Sequence, residues 1–202
     1  MLRPTVDIKN QLLCGLTIST SDSSDFDLNS DYQNITHKLL REAAVLVAVL
    51  MINDQPQIIL TKRTAALKHH PGQIAFPGGK VDAKDADVVG AALREAKEEI
   101  GLPSGQVEVL GCLAPHITIT GFRVTPIIGL VNGTVALRPE QSEVDEIFTV
   151  PLSFLTDPRN YYVRTRVYFG KSRKYYTVPY GPYYIWGATA RMLRGLAERL
   201  QT

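Results

Sequence analysis

One stretch of the chain, Gly78 to Leu102 (GGKVDAKDADVVGAALREAKEEIGL), limits what the whole can fold into more than any other. From Asp87 to Ile100 the spacing predicts a helix. Val89, Ala92, Leu93, Ala96 and Ile100 form an apolar stripe along it that must lie on a core. Gly101 stops this helix and Pro103 keeps it from resuming. Glu95, Glu98 and Glu99 stand at i, i+3 and i+4, so they share one side of it. Like charges at that spacing repel, and Glu99 lies near the helix C-terminus, where the macrodipole disfavours anions. A sequence that accepts both costs points to a cation, and carboxylate oxygens are the ligands that Mg²⁺ and Mn²⁺ prefer. A solvated charged face is the other reading of this spacing. The preceding Phe76-Pro77-Gly78-Gly79 loop favours the cation, because a glycine pair lets backbone N–H groups approach phosphates that side chains would block.

The rest of the composition removes whole classes of function. With 202 residues, 45% of them hydrophobic, the chain can bury an ordinary core without staples. A net charge of +2 excludes a supercharged nucleic-acid binder. Cys14 and Cys112 form neither a disulfide framework nor a metal knuckle. The longest apolar run, Ala43 to Ile52, is about half of a membrane span. Met1 to Asn10 does not read as a secretion signal. The expectation is a soluble, cytoplasmic protein with no membrane partner.

Residues 1–34 read as a short helix, Val6 to Leu16, followed by a mobile Ser/Asp-rich arm. A folded domain is expected over 35–202. Ala43 to Ile52 and Gln57 to Thr61 flank a turn and read as a buried hairpin. Further strands are expected at Val107–Leu113, Val124–Val131 and Ile147–Val150. A second hairpin, Tyr161–Phe169 with Tyr175–Val178, is expected to turn at Gly170-Lys171-Ser172, before a closing helix, Ala188 to Leu200. Hairpin links dominate over βαβ links, so the fold class is α/β with a mixed sheet between helices rather than a Rossmann fold.

Gly79, Asp85, Arg94, Glu95, Glu98, Glu99 and Gly101 resemble the box of the Nudix hydrolases: a glycine, an acidic residue, then Arg-Glu-x-x-Glu-Glu-x-Gly. Asp85 replaces the usual Glu, and the spacer Ala86 to Leu93 is one residue longer than usual. Both departures resemble the coenzyme A diphosphatase branch. Upstream, Ile59-Leu60-Thr61-Lys62-Arg63, Lys68, Gly72 and Phe76-Pro77-Gly78-Gly79 are similar to that branch's motif, Leu-Leu-Thr-x-Arg-Ser/Ala-x₃-Arg-x₃-Gly-x₃-Phe-Pro-Gly-Gly. Ile59 replaces Leu, Thr64 the small residue and Lys68 an Arg. That lysine keeps the charge without the bidentate fork.

The resemblance implies an α/β/α sandwich and metal-dependent hydrolysis of the diphosphate bridge of coenzyme A or its derivatives, with Mg²⁺ or Mn²⁺ as cofactor. The products would be 3′,5′-ADP and a 4′-phosphopantetheine. By position Glu95, Glu98 and Glu99 would be the metal ligands, and Arg94 would orient them, although its place on the helix is expected to turn away from theirs. Glu98, Glu99 or a later carboxylate such as Glu143 would take the proton from water. Glu146 belongs to the same acidic region, and Asp85 falls on a box position. Lys62, Arg63, Lys68, Gly78 and Gly79 are the expected substrate contacts.

From Pro158 to Ala197 no acidic residue occurs, while Arg159, Arg164, Arg166, Lys171, Arg173, Lys174, Arg191 and Arg194 alternate with aromatics. This stretch reads either as the wet face of a hairpin or as a contact for a phosphate and a base. Two other functions stay open. One is a broader diphosphatase acting on ADP-ribose, dinucleotides or 5′-triphosphate RNA, and the other a non-catalytic nucleotide-binding module. A small nucleotide of coenzyme A type is the expected partner rather than nucleic acid, and the hairpins and arm leave a homodimer open.

Overall fold

The computed structural model describes residues 4–29, 39–67, 70–168 and 170–201. In chain order the elements are α1 (Pro4–Leu16), β1 (Ser23–Ser24), β2 (Arg41–Ile52), β3 (Gln55–Arg63), β4 (Ile74–Ala75), β5 (Gly78–Lys80) and α2 (Val88–Ile100). After them come β6 (Val107–Cys112), β7 (His116–Ile117), β8 (Phe122–Val131), β9 (Val144–Pro151), α3 (Leu152–Thr156), β10 (Tyr162–Tyr168), β11 (Lys171–Thr177) and α4 (Gly187–Leu200).

Strand alternation explains the layers. In β2, Ala44, Leu46 and Ala48 point to one face of the sheet, and Ala43, Val47 and Val49 to the other. The first set packs under α2 with Ala91, Ala92, Ala96 and Ile100, all fully buried or nearly so. So many alanines let helix and sheet approach closely. The second set meets Ile8 and Leu12 of α1, Leu152 and Leu155 of α3, and Ala190, Leu193 and Leu196 of α4. A mixed sheet therefore lies between helices on both faces, as expected for the α/β class.

The sheet has β1-β7-β8-β2-β3-β4 as its path, with β5 on β2, β6 on β8 and β9 on β3. Its centre is the parallel pair β2 and β8, running from Arg41↔Phe122 to Leu50↔Val131. The other side of β2 is shared. β3 pairs with its far end, Val49 to Ile52, across a two-residue turn in which Asn53 and Asp54 have φ of 50° and 60°. β5 pairs antiparallel with its near end, Ala43 to Val45. Strand β3 thus peels away from β2 toward β9, and β5 enters the gap. The end of β3 and the start of β5 come together there, which is what positions the site.

Two expectations are corrected. The Ser/Asp-rich segment, expected as a mobile arm, is docked over residues 23–29. β1 pairs with β7, Phe26 is buried, Arg191 Nε donates to Asp27 Oδ2 at 2.8 Å, and Asn29 bonds the Lys174 backbone through both N–H and C=O. Ser23 and Asp25 hydrogen-bond the two ring nitrogens of His116, which is fully buried. The second hairpin is also longer than expected, with Lys171 and Ser172 already paired in β11 opposite Tyr168 and Val167. Among the described residues no helix is long and apolar enough to cross a membrane.

Candidate active site

Helix α2 is fixed at both ends by its own sequence. Asp87 accepts from Gly90 N at 2.7 Å as the N-cap, a contact worth about 1 kcal/mol. Gly101 adopts the left-handed conformation (φ 68°) and returns its N–H to the last turn. Beyond it, Arg138 N donates to Ile100 O at 3.0 Å and Glu140 N to Glu99 O at 2.9 Å. The loop that carries Glu143 is therefore tied to the carbonyl of Glu99 itself. Thr64 N donates to Glu143 O at 2.9 Å from the other side, just after β3.

The helix carboxylates are not equivalent. Glu99 is buried, at 3% exposure, and accepts from Gly78 N at 3.1 Å, while Arg63 Nη1 lies 3.5 Å from it. Burial pushes its carboxyl up to about 7, with Glu95 and Glu143 adding repulsion and Gly78 N–H and Arg63 opposing it. Glu95 is half-buried and also raised, first by burial, then by Glu98 and Glu143, against Arg94. Glu98 is exposed and pairs with Arg94 at 2.9 Å.

Arg94 does not turn away from these groups, contrary to expectation. Its i, i+4 relation to Glu98 brings it onto their side. Its guanidinium donates to Glu95 Oε1 and Glu98 Oε2 at 2.9 Å each, and through Nε and Nη2 to both oxygens of Asp85 at 2.8 and 2.9 Å. Asp85 also accepts from Asp82 N at 2.8 Å, and the Arg94 bonds hold its carboxyl down at about 2. These carboxylates in turn hold the Arg94 proton more tightly than usual.

A side chain would collide at both loop positions, with backbone at Gly78 and with a carboxylate at Gly79. A Cβ on Gly78 would meet Ala44 O at 2.4 Å and Val45 Cα at 2.6 Å. One on Gly79 would fall 2.5 Å from the Glu95 carboxylate. Paired glycines thus let β5 lie against β2 with its backbone on two box carboxylates.

Glu143 and Glu146 are separated by the sheet. Glu143 is near enough to raise both Glu95 and Glu99. Glu146 shares the β9 face of Phe148 and Val150, on the α4 side, and accepts from Tyr183 Oη at 2.5 Å. It is therefore not part of the cluster, and the alternation of Glu146, Phe148 and Val150 carried that signal in the sequence. Lys62 pairs with the exposed Asp145 at 3.0 Å, which raises its pKa, and β9 carries an extra residue opposite the Lys62/Arg63 step. Such a bulge re-aims the strand end, and Arg63 turns to Glu99 while Lys62 does not. Lys68 lies outside the described residues. Sequence reasoning missed Asp145 and Tyr183, which hold two of the candidates.

The donor set fits a hard divalent cation: carboxylate oxygens, two of them with protons favoured by burial and crowding, beside a glycine that leaves them room. Among the described residues no three carboxylates already form a coordination shell. Arg94 draws Glu95 and Glu98 toward itself, so they would turn from it to hold an ion.

Residues 42–167 match the NUDIX domain family. The Nudix hydrolase NudL of Salmonella dublin, described as uncharacterized, is 42% identical over 168 residues, 82% of this chain and 87% of its own length. The corresponding NudL of Salmonella heidelberg is also 42% identical, with the same shares. Among solved structures, the Nudix hydrolase RenU from M. smegmatis is 26% identical with a TM-score of 0.48, covering 56% of this chain and 71% of its own. A C. elegans Ap4A hydrolase is 22% identical with the same score, covering 55% and 80%. With more than half of the chain matched and relatives above 40% identity, the chain belongs to the Nudix hydrolase family and is a pyrophosphohydrolase.

Proposed function

We propose that this Nudix hydrolase cleaves the diphosphate bridge of coenzyme A or a coenzyme A derivative, releasing 3′,5′-ADP and a 4′-phosphopantetheine. The observation that carries this reading is the meeting of two sequence segments. Arg63, from the stretch that resembles the coenzyme A diphosphatase motif, and Gly78, at its other end, both contact Glu99 of the box helix. Gly79 lies against Glu95. The branch-like motif and the general hydrolytic residues thus form one site.

Nudix hydrolases use divalent cations such as Mg²⁺ or Mn²⁺. Here Glu95, Glu98 and Glu99 would hold the cation, which when bound neutralises the bridge, stabilises the leaving phosphate and lowers the pKa of water. The remaining roles belong to the chain's own groups. Asp85 anchors Arg94, and Arg94 pairs with Glu95 and Glu98 in the arrangement from which they would turn to hold the cation. Arg63 brings positive charge to the buried end of the cluster, and Lys62 reaches a phosphate by giving up Asp145, an exposed partner that costs little to lose. A carboxylate among Glu98, Glu99 and Glu143 accepts the proton from water.

Incubation with coenzyme A and Mg²⁺ or Mn²⁺, followed by product chromatography, tests this reading. Release of 3′,5′-ADP is expected. Turnover of ADP-ribose or NADH, with coenzyme A left intact, would replace the substrate while keeping the chemistry.

A further inference from the structure

The docked segment brings together three side chains that the carboxylate cluster does not use. Ser23 Oγ lies 2.9 Å from His116 Nδ1, and His116 Nε2 lies 3.0 Å from Asp25 Oδ1. Asp25 is fixed in turn, since its Oδ2 accepts from Ile119 N at 2.9 Å. The parallel pairing of β1 with β7 sets Ser23 beside His116 and so holds hydroxyl and ring in register. An ionised carboxylate can only accept, so the ring proton sits on Nε2 and Nδ1 turns its lone pair to the serine hydroxyl. A nucleophile within reach of a base, and a base oriented by a third group, is the arrangement that activates a hydroxyl.

Two features set this chain of bonds apart from a latch that only ties the segment to the core. The first is access. His116 is fully buried, but Ser23 is half-buried and lines a cavity of about 230 Å³. The second is the wall of that cavity. Ile18, Leu113, Pro126 and Met192 make it largely apolar, and Arg191 and Arg199 add positive charge. Its volume suits a short acyl chain and is too small for a nucleotide, since drug-sized ligands occupy about 300–1,000 Å³. Leu113 and Met192 belong to the core that α1, α3 and α4 cover, whereas α2 packs on the other face of the sheet. The cavity is therefore separate from the box carboxylates.

We propose that Ser23, His116 and Asp25 form a second hydrolytic site, which cleaves short-chain acyl esters and needs no cation. Ser23 Oγ bonds to the acyl carbon while its proton passes to His116 Nδ1, and Asp25 stabilises the imidazolium. The ester C–O bond breaks, and the leaving oxygen takes that proton and departs as the alcohol. Water then attacks the acyl-serine and gives a proton to His116 Nδ1. The acid leaves, and Ser23 Oγ recovers the proton. The sum is ester plus water to acid plus alcohol, with nothing oxidised or reduced. The two ring nitrogens exchange the duties they have in serine proteases, which an imidazole with one lone pair and one N–H permits. Arg191 spends its Nε on Asp27 and Arg199 its Nη1 on Gly195 O. Their positive charge at the cavity wall favours the oxyanion that forms on attack.

The test uses the full chain with p-nitrophenyl acetate as the probe, and a chelator to withhold divalent cations from the box carboxylates. Wild type is expected to hydrolyse the ester with saturation. Ser23→Ala should lose at least ~100-fold in kcat/KM, while Ser24→Ala, whose hydroxyl accepts from Phe26 N, should keep the wild-type rate. A second measurement needs no variant. A fluorophosphonate, which gives up fluoride as its phosphorus bonds to the serine oxygen, should label Ser23 of the wild type, as read by peptide mass. Hydrolysis that does not saturate, a rate that Ser23→Ala retains, or a wild-type chain in which Ser23 stays unlabelled would each overturn the proposal.

Discussion

Replacing Gly79 and Gly78 by alanine, one at a time, separates the site from the scaffold. In Gly79→Ala the new Cβ starts 2.5 Å from the Glu95 carboxylate, against about 3.4 Å for ordinary contact, so the carboxylate must retreat by roughly 0.9 Å. A side-chain end can yield in this way without disturbing the backbone. The cost falls on catalysis, where a misplacement of about 1 Å is worth roughly 100-fold. In Gly78→Ala the obstacles are the Ala44 carbonyl and the Val45 backbone, at 2.4 and 2.6 Å, inside the β2–β5 pairing. These cannot move aside singly, and overpacking of this kind costs about 1–3 kcal/mol, or roughly 2–12 °C of Tm for a chain of this size. The assay is kcat with saturating metal beside a thermal melt. Gly79→Ala should melt within about 4 °C of wild type and turn over ~100-fold more slowly, and Gly78→Ala should show the clear loss of Tm. Wild-type kcat in Gly79→Ala would refute the placement of Glu95 in the catalytic cluster.

Two further outcomes follow from single contacts. Asp87→Ala removes the α2 N-cap and should cost about 1 kcal/mol, roughly 2–4 °C of Tm, with kcat little changed because the box lies two to three turns further on. The Asp85 carboxyl, held at about 2 by Arg94, contributes stability that is fully present above its unfolded value of 3.8 and is lost as pH falls through about 2. Asp85→Asn should therefore lower Tm near pH 5, and the gap to wild type should narrow toward pH 2. A gap independent of pH would show that the ion pair is not its source.

The fold was legible where local rules decide it. Helix α2 carries its own start at Asp87 and its own stop at Gly101, and the hydrophobic runs of β2, β3 and β8 alternate onto two cores. Residues 23–29 were not legible, because a Ser/Asp-rich segment has no local reason to order. Its partners, His116, Arg191 and the Lys174 backbone, lie far along the chain. Strands of two or three residues such as β4 and β5 have no periodicity to detect, yet they bring the Gly78-Gly79 pair onto Glu99 and Glu95. Within the site, helix spacing placed the three glutamates together but did not show that Glu99 is buried and Glu98 exposed, since that depends on Gly78 and Arg63 closing over one end. The side of Arg94 followed from the same spacing, once the i, i+4 relation to Glu98 is set beside the ion pair to Asp85.

The account centres on mutually repelling carboxylates kept in place for divalent cations. Titrating Mn²⁺ into the protein by electron paramagnetic resonance, with Glu98→Gln and Glu99→Gln beside the wild type, measures this directly. Saturable binding by the wild type is expected, weakened at least ~10-fold in each variant and accompanied by a loss of turnover of at least ~100-fold. Mn²⁺ uptake that neither substitution changes, or variants that hydrolyse substrate at wild-type rates, would contradict it.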